Sequence, residues 1–213
     1  MILLAHEHLQ DQRASGPQKR LSTANRRATQ FHRTGVITLA TTNHPERLDP
    51  SIVEHFAGVT AILHAGDIGD SDVIRQLQQI APVFAVSGNV DDFEQSGYPR
   101  VRVIRRAGVT IAIRHILHGR GQLTDEARQW LDSTQPHICV FGHSHRPAIE
   151  QYGGTILFNP GSAGPRRFSL PRGVGVLTIA EGRITPQLIR LEDSVGSGTT
   201  KDRTSRSKKG AST

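Results

Sequence analysis

Cysteine, tryptophan, methionine and long apolar runs are all scarce in this 213-residue sequence. Its one cysteine, Cys139, excludes a disulfide within the chain and lies in an apolar run, where a buried thiol is the default. No apolar stretch approaches the roughly 20 residues that a transmembrane helix needs. The apolar residues 1–5 are too few for the apolar core of a signal peptide. We therefore expect a cytoplasmic protein without a membrane span.

Positive charge, by contrast, is plentiful, but it is concentrated at the two ends of the chain. Of a formal net charge of +7, residues 1–33 and 194–213 together hold +8, which leaves the 160 residues between them at about −1. Both ends are polar and lack apolar periodicity, which predicts disordered extensions on either side of one domain at residues 34–193. Whether these basic extensions contact nucleic acid weakly or are simply solvated stays open.

Within that domain, apolar runs alternate first with loops and helices and later with tight turns. Strands are predicted at residues 35–40, 59–64 and 82–86, and hairpins at 101–113, 148–158 and 174–191, with the second strand of the first hairpin running on to residue 116 and beyond. Alternating strands and helices predict parallel strands whose C-terminal loops gather at one edge. The sequence therefore predicts an α/β fold in which helices cover two stacked β-sheets.

Two histidines one residue apart follow a short apolar run, in the motif Gly142-His143-Ser144-His145. In an extended segment, side chains at i and i+2 point the same way, so two imidazoles at a strand end converge as paired metal ligands must. A polar loop with chance histidines is the alternative. The other loops must supply partners for the metal interpretation to hold.

Three further loops after predicted strands carry metal-binding residue types beside glycine. These residues are Asp67, Asn89 and His118. A carboxylate can bridge two cations, an amide carbonyl is a neutral oxygen donor, and imidazoles suit Mn, Fe, Zn or Ni. Together with His143 and His145, they predict a hydrolytic metal centre.

Five short motifs in this order resemble those of the calcineurin-like metallophosphoesterases. They are His64-Ala65-Gly66-Asp67, Gly88-Asn89-Val90-Asp91, Leu117-His118-Gly119, Gly142-His143-Ser144-His145 and Asn159-Pro160-Gly161-Ser162. The chain is most similar to the small bacterial and archaeal phosphodiesterase branch, to which the retromer subunit of the same fold is related. The resemblance covers residues 35–192. It implies a four-layer α/β/β/α sandwich of two mixed sheets and phosphodiester hydrolysis by a metal-activated hydroxide on a small phosphate ester or nucleotide.

The resemblance also implies a role for each matching residue. Asp67 would bridge two divalent metal ions (Mn, Zn, Fe or Ni). Asn89, His118 and His143 would complete the second metal site, and His145 would serve the first. Asn89 would also act in catalysis, close to the phosphate. The histidine that often follows this asparagine as a general acid is Val90 here, which favours diesters with an easily departing group.

The first metal site departs from the family pattern. The family's first strand ends in an Asp-x-His motif, but an alignment without gaps places Ala40 and Thr42 at these positions. This site would keep only Asp67 and His145, so we expect one intact metal site and one degenerate site.

Three interpretations of this departure remain open. Asn43, His44 or Glu46 could replace the missing ligands in a weakened two-metal enzyme. One ion could bind at the intact site and support slow hydrolysis or none. Finally, the chain could be a catalytically weak or inactive homologue that acts as a protein-interaction scaffold.

Other polar residues near these motifs have simpler interpretations. A packed strand position is expected for His64, a structural or exposed position for His115, and a helix cap for Asp70. Arg166, Arg167 and Arg172 follow the last motif, where they either grip a substrate phosphate or lie on the surface.

Overall fold

The computed structural model describes residues 34–39, 50–164, 166 and 169–191. The predicted extensions at residues 1–33 and 194–213 lie outside these ranges, so the domain boundaries stay a prediction. None of the helices within the described ranges combines the length and apolar character needed to cross a membrane.

The described residues form twelve strands and four helices. The strands are β1 Thr34–Leu39, β2 Ala61–His64, β3 Val83–Ala85, β4 Val101–Arg106, β5 Val109–Arg114, β6 His118–Gly119, β7 Gln122–Leu123, β8 Ile138–Val140, β9 Ala148–Tyr152, β10 Thr155–Asn159, β11 Gly173–Ala180 and β12 Arg183–Arg190. The helices are α1 Pro50–His55, α2 Ser71–Gln78, α3 Phe93–Ser96 and α4 Asp125–Thr134.

Ten of these strands form two five-stranded sheets. The first has the order β12-β11-β1-β2-β3, in which β1, β2 and β3 are parallel and β11 and β12 pair antiparallel. The second has the order β4-β5-β8-β10-β9, with a parallel centre of β5, β8 and β10 and antiparallel edges. Both sheets are therefore mixed, as the sequence predicted. A short ribbon of β6 and β7 stands apart from them.

Three buried apolar clusters show how the layers stack. Ile62 of β2 belongs to a cluster with Leu77 of α2, whereas the adjacent Leu63 belongs to a second cluster with Ile111 of β5. Because neighbouring strand residues face opposite sides, the second cluster lies between the two sheets and the first lies under the helices. A third cluster joins Leu131 of α4 to the outer side of the second sheet. The predicted α/β/β/α sandwich is confirmed.

The caps of α2 and α4 explain where these helices begin and end. The Asp70 carboxylate accepts a hydrogen bond from the Asp72 N–H at 2.8 Å, which confirms its expected role as the N-cap of α2. The Thr124 hydroxyl accepts from the Ala127 N–H at 3.1 Å and starts α4. A left-handed residue, Gln135, ends α4.

Candidate metal centre

Four side chains from loops of both sheets meet at one edge of the sandwich. Asp67 follows β2 and Asn89 follows β3 in the first sheet, while His115 follows β5 and His143 follows β8 in the second. Strands β2 and β3 are parallel, as are β5 and β8, so their C-terminal loops emerge at the same edge of each sheet. Contacts of both histidine rings with the amide oxygen of Asn89 join the two edges.

The donor atoms of these four side chains form a chain of contacts, each at hydrogen-bond distance. The Oδ1 atom of Asn89 is 2.9 Å from His143 Nδ1 and 3.0 Å from His115 Nε2. The same Nε2 atom is 3.2 Å from Asp67 Oδ1. The two imidazole rings meet edge to face with their centres 5.4 Å apart. One carboxylate, one amide and two imidazoles therefore converge on one small volume.

The hydrogen bonds of His115 orient its ring as that of a metal ligand. Its Nδ1 atom lies 2.6 Å from the Ala65 carbonyl oxygen, an acceptor that requires a hydrogen on Nδ1. In the neutral imidazole the lone pair is then on Nε2, facing the oxygen atoms of Asp67 and Asn89. Three acceptors around one point require a proton or a cation between them. Metal-ligating histidines commonly donate their other N–H to a backbone carbonyl in this way.

Asp67 is the negatively charged member of the cluster. It is 4% exposed, and burial by itself raises the pKa of its carboxyl group. When a proton lies between Asp67 and His115, the hydrogen bond from the protonated ring, the charge of that ring and the backbone N–H groups of Val90 and Asn89 outweigh burial, so the pKa of Asp67 falls below its ordinary value. The carboxylate is therefore ionised at neutral pH and can bind a cation.

Two glycines allow the Asp67 and Asn89 loops to approach each other. A Cβ atom on Gly88 would collide with the backbone nitrogen and the carboxylate of Asp67. A Cβ on Gly66 would lie 2.7 Å from His115 Nδ1 and 2.8 Å from the backbone of Gly88, and Gly66 also has a φ of +92°. The glycines beside the predicted ligands are thus required by close packing.

Asp91 ties the same two loops together. Its carboxylate accepts hydrogen bonds from the N–H groups of Ile68 at 2.9 Å and Gly69 at 3.0 Å, both in the Asp67 loop. It also accepts from the Gly88 N–H at 2.7 Å, next to Asn89. Asp91 therefore sets the spacing between the loops of Asp67 and Asn89, and all of these bonds are to backbone N–H groups.

The histidine pair lies in a turn beyond the end of β8, not on an extended strand. The backbone of His143 has a φ of +67° and that of His145 a φ of +56°, so the extended i, i+2 geometry assumed from the sequence is wrong here. His143 is exposed and contacts Asn89, whereas His145 is buried. Asn159 holds the turn by donating to the Gly142 carbonyl at 2.9 Å and the Ser144 hydroxyl at 3.1 Å.

His118 lies in the short ribbon after β5 and makes different contacts. Its Nε2 atom is 3.3 Å from Glu150 Oε2, and its ring centre is 5.1 Å from that of Phe141. Strand β5 stops at Arg114 instead of running on past residue 116, so His115 directly follows the strand end. The role of His118 as a metal ligand stays a prediction, and His115 becomes a further candidate.

The donor types suit one divalent ion, and the separations of neighbouring donors are compatible with such an ion. With bonds of about 2.1 Å, neighbouring ligands of an octahedral ion lie about 3.0 Å apart. The observed separations of 2.9, 3.0 and 3.2 Å agree with that spacing. The His, Cys, Asp and Glu side chains in the described ranges form no group of three that would hold a metal by themselves. The amide of Asn89 therefore connects the donors, because its oxygen contacts both imidazoles.

The other metal site falls largely outside the part of the chain that the structure describes. Ala40, Thr42, Asn43, His44 and Glu46 all lie in residues 40–49, so the proposed substitute ligands stay a prediction.

Two smaller expectations can be compared with the structure. His64 is fully buried in β2, as expected, and this burial lowers its pKa to about 4. Arg172 donates from Nε to the Gly164 carbonyl at 3.2 Å and from Nη2 to the Ala163 carbonyl at 3.1 Å, which indicates a structural role.

Comparison with known proteins places this geometry in a family. A family model for the calcineurin-like phosphoesterase superfamily domain matches residues 36–182. A probable metallophosphoesterase of Methanothermobacter thermautotrophicus is 30% identical over 156 residues, covering 71% of this chain and 90% of the relative. A probable metallophosphoesterase of Bacillus subtilis is 26% identical over 155 residues, covering 71% of this chain and 85% of the relative.

Solved structures share the fold at lower sequence identity. Vps29 of Entamoeba histolytica, solved in complex with Zn²⁺, superposes with a TM-score of 0.57 at 18% identity and covers 73% of this chain and 98% of its own. A predicted phosphoesterase of Streptococcus pneumoniae gives a TM-score of 0.54 at 22% identity, covering 74% and 89%. The family match over most of the domain, the relatives and the shared fold agree. The chain belongs to the calcineurin-like phosphoesterase superfamily, as its motifs predicted.

Proposed function

We propose that the protein is a metal-dependent phosphoesterase that hydrolyses phosphodiesters. The observation that supports this most directly is the convergence of Asp67, Asn89, His115 and His143 at one edge of the sandwich. Family membership supports the reaction class, and the donor types of the cluster support a site for a divalent ion. A cytoplasmic location is part of the proposal and rests on the single buried cysteine.

Some residues of the cluster would hold the ion, and others would contact the substrate. A divalent ion, when bound, provides an activated water and positive charge against the phosphate. The buried Asp67 carboxylate anchors the site, and the Ala65 carbonyl fixes the ring of His115. Asn89 and His143 are exposed to solvent, so a phosphate group can reach both. Their N–H groups can donate to its oxygen atoms as negative charge develops there.

The residue after Asn89 bears on the kind of ester. Val90 is 54% exposed and has no proton to give, so the departing alcohol receives no help from this position. Substrates whose departing group needs little protonation are favoured. This supports diesters with an activated departing group over simple alkyl monoesters.

We further propose a ligand set of Asp67, Asn89, His143 and either His115 or His118, with His145 serving the degenerate site. Alanine substitutions separate the two alternatives on the β5 loop. Because His115 already contacts two other donors, we expect His115→Ala to weaken Mn²⁺ binding by tenfold or more. His118→Ala removes a contact with Glu150 and should change Mn²⁺ affinity less. A larger loss in His118→Ala would instead favour the ligand set implied by the resemblance.

The experiment is to measure bound metal in the purified full-length chain by mass spectrometry and hydrolysis of bis(4-nitrophenyl) phosphate with added Mn²⁺. We expect bound metal and turnover, with turnover lost in Asp67→Asn. A protein that retains no Mn, Zn, Fe or Ni and stays inert at millimolar metal would refute the enzyme proposal.

The second candidate function is an interaction scaffold with little or no activity. It is favoured by Ala40 and Thr42, which replace the acidic and imidazole ligands of the first site. Under this alternative the full-length chain would still bind one ion through Asp67 and Asn89. Metal binding without any diester hydrolysis would support the scaffold.

A further inference from the structure

Strand β4 is an edge of the second sheet, and part of its backbone faces outward. It ends at a two-residue turn in which Ala107 and Gly108 both have positive φ values. Arg106 pairs with Val109 across this turn. Such a turn is closed by a hydrogen-bonded pair, so alternate residues of β4 bond to β5 and the residues between them face away. The outward residues are Val101, Val103 and Arg105.

The backbone of Thr110, the partner of Arg105 on β5, supports this alternation independently. Its N–H lies 3.1 Å from His137 Nδ1, and its carbonyl accepts from the His137 N–H at 3.0 Å. Thr110 therefore faces β8 and not β4, so the backbone of Arg105 faces the open edge. Within the described ranges, no strand pairs with this side of β4.

The other three edges of the two large sheets offer less to a further strand. β3 has only three residues, and in β9 the same alternation leaves two outward residues, Ile149 and Gln151. In β12 an outward position is occupied by Pro186, which has no N–H to donate. Short strands and prolines keep sheet edges from pairing. β4 is six residues long and has no proline, so it is open to another strand.

Two exposed valines lie along this edge. Val101 is 37% exposed and Val103 is 46% exposed. Both lie on the side of β4 opposite to Ile104, which packs between the two sheets. An added strand would therefore bury apolar surface as well as pair backbone groups.

Three arginines of β4 give the edge a positive charge. Arg105 is exposed on the same side as the valines. On the other side, Arg102 donates from Nε to the Ala85 carbonyl at 3.1 Å, and the guanidinium of Arg106 lies 5.1 Å from the centre of the Phe84 ring. Neither contact neutralises a guanidinium group. Among the residues that the structure describes, no carboxylate forms an ion pair with any of the three.

We propose that the β4 edge binds an extended acidic segment of a partner protein, which adds to the second sheet as a sixth strand. The edge alternates N–H donors with carbonyl acceptors, which another polypeptide backbone complements. A nucleic acid backbone would not, because its phosphates only accept hydrogen bonds. The inference goes beyond the proposed hydrolysis and needs no bound metal.

Charge argues against an occupant from this chain itself. Pairing β4 with β4 of a second copy would bring the arginines of two strands together, which is unfavourable. Residues 1–33 and 194–213 are also basic. Acidic side chains opposite the arginines and apolar side chains opposite the valines would complement the edge.

The test is fluorescence anisotropy of a labelled peptide, acetyl-Glu-Glu-Val-Val-Glu-Val-amide, with the full-length chain in EDTA at low salt. Paired antiparallel, the six residues of the peptide lie opposite Arg106 to Val101 in that order. We expect saturable binding that weakens about tenfold when its glutamates are replaced by glutamines. N-methylation of its fourth residue, whose N–H would face Val103, should weaken binding about tenfold. N-methylation of its third residue, whose N–H would face away, is the matched control and should change affinity less than about twofold.

Variants of the chain test the same edge from the other side. Val103→Pro removes an outward N–H without removing a bond to β5, and Arg105→Glu reverses the exposed charge. We expect each to weaken peptide binding by about tenfold. Arg183→Glu, at an exposed arginine of β12, is the control and should bind as the wild type does. Circular dichroism should show that each variant is folded.

Amide hydrogen exchange gives a readout that charge attraction alone would not produce. Bound peptide should slow exchange of the Val103 and Arg105 amides but not that of Ile104, which already bonds to β5. Equal binding of the glutamine peptide, or equal effects of the two N-methyl groups, would overturn the inference. So would self-association of the chain that Val103→Pro abolishes, because the occupant would then be a second copy. Binding of oligothymidylate that Arg105→Glu weakens and Val103→Pro does not, without peptide binding, would indicate a phosphate-binding surface instead.

Discussion

The contacts of Asp91 lead to a prediction that does not depend on any bound metal. Its two oxygen atoms accept from three backbone N–H groups, of Ile68, Gly69 and Gly88, and so connect the loops that carry Asp67 and Asn89. The perturbation is Asp91→Asn, which keeps the size of the side chain but replaces one oxygen by an NH₂ group. Whichever way the amide is turned, a donor then faces at least one of these N–H groups.

The expected loss follows from the number and kind of bonds. A hydrogen bond to a charged acceptor contributes about 1.5–3 kcal/mol. If the amide oxygen keeps the Ile68 and Gly69 bonds, the 2.7 Å bond from Gly88 is lost, and the two remaining bonds lose their charge assistance. Because Asp91 is only half-buried, water replaces part of the loss. We expect a fall of about 2–3 kcal/mol in the free energy of unfolding, or roughly 4–12 °C in Tm for a domain of this size.

Urea denaturation of wild type and Asp91→Asn measures the difference, and Asp70→Asn is the control. Asp70 makes an N-cap bond to one N–H group, of Asp72, and asparagine caps helices as well as aspartate. The control should therefore lie within about 0.5 kcal/mol of the wild type. If Asp91→Asn were as stable as this control, the bonds between the two loops would not contribute to the free energy of unfolding. Asp91 could then not be said to position Asn89.

Two further predictions concern the packing beneath the cluster. Because burial lowers the pKa of His64 to about 4, the unfolded chain binds a proton as the pH falls below 6.5 and the folded chain does not. The free energy of unfolding should therefore drop by about 1.4 kcal/mol per pH unit down to about pH 4. His64→Leu should flatten this slope in urea titrations, and an unchanged slope would contradict the lowered pKa of His64. Gly88→Ala should destabilise the domain by about 3 kcal/mol or more, because the added Cβ would collide with Asp67. Gly154→Ala is the control and should be neutral, because the space around Gly154 is open. Equal melting curves for the two variants would disprove the close packing at Gly88.

The fold could be predicted closely because its signals are local. Apolar strand runs, glycine turns and helix caps such as Asp70 each depend on neighbours in sequence. The predicted hairpins and parallel units all form, with ends shifted by one or two residues. The error at β5 has a physical cause: the apolar residues Ile116 and Leu117 look like strand, but the chain leaves the sheet after Arg114. Leu117 instead packs in the cluster beneath α4, which sequence periodicity does not reveal.

The site could be predicted only in part, because its geometry depends on where strands end. Asp67, Asn89 and His143 follow strand ends and meet, as the sequence indicated. The sequence predicts a structural or exposed position for His115, which is buried, in agreement with a structural position, and also contacts two of the other donors. Position relative to the strand end does not single out His115, because it directly follows β5, whereas Asp67, Asn89 and His143 lie three or four residues past the ends of their strands, as His118 does past β5. The contacts of His115 with the other donors depend on the tertiary packing of the two sheets, which the sequence does not reveal.

The net charge of the cluster depends on how many metal ions it holds, and this charge bears on whether a phosphodiester or a phosphomonoester binds better. Among the four converging side chains Asp67 carries the one carboxylate, so one divalent ion held there leaves a net charge of about +1. Two divalent ions would leave about +3 around the same carboxylate, and their mutual repulsion would be poorly compensated. A phosphodiester carries a single negative charge, whereas a monoester near pH 7 carries 1.5 to 2. A site with one ion thus matches the charge of a diester at the cluster, and any additional phosphate must find its countercharge elsewhere.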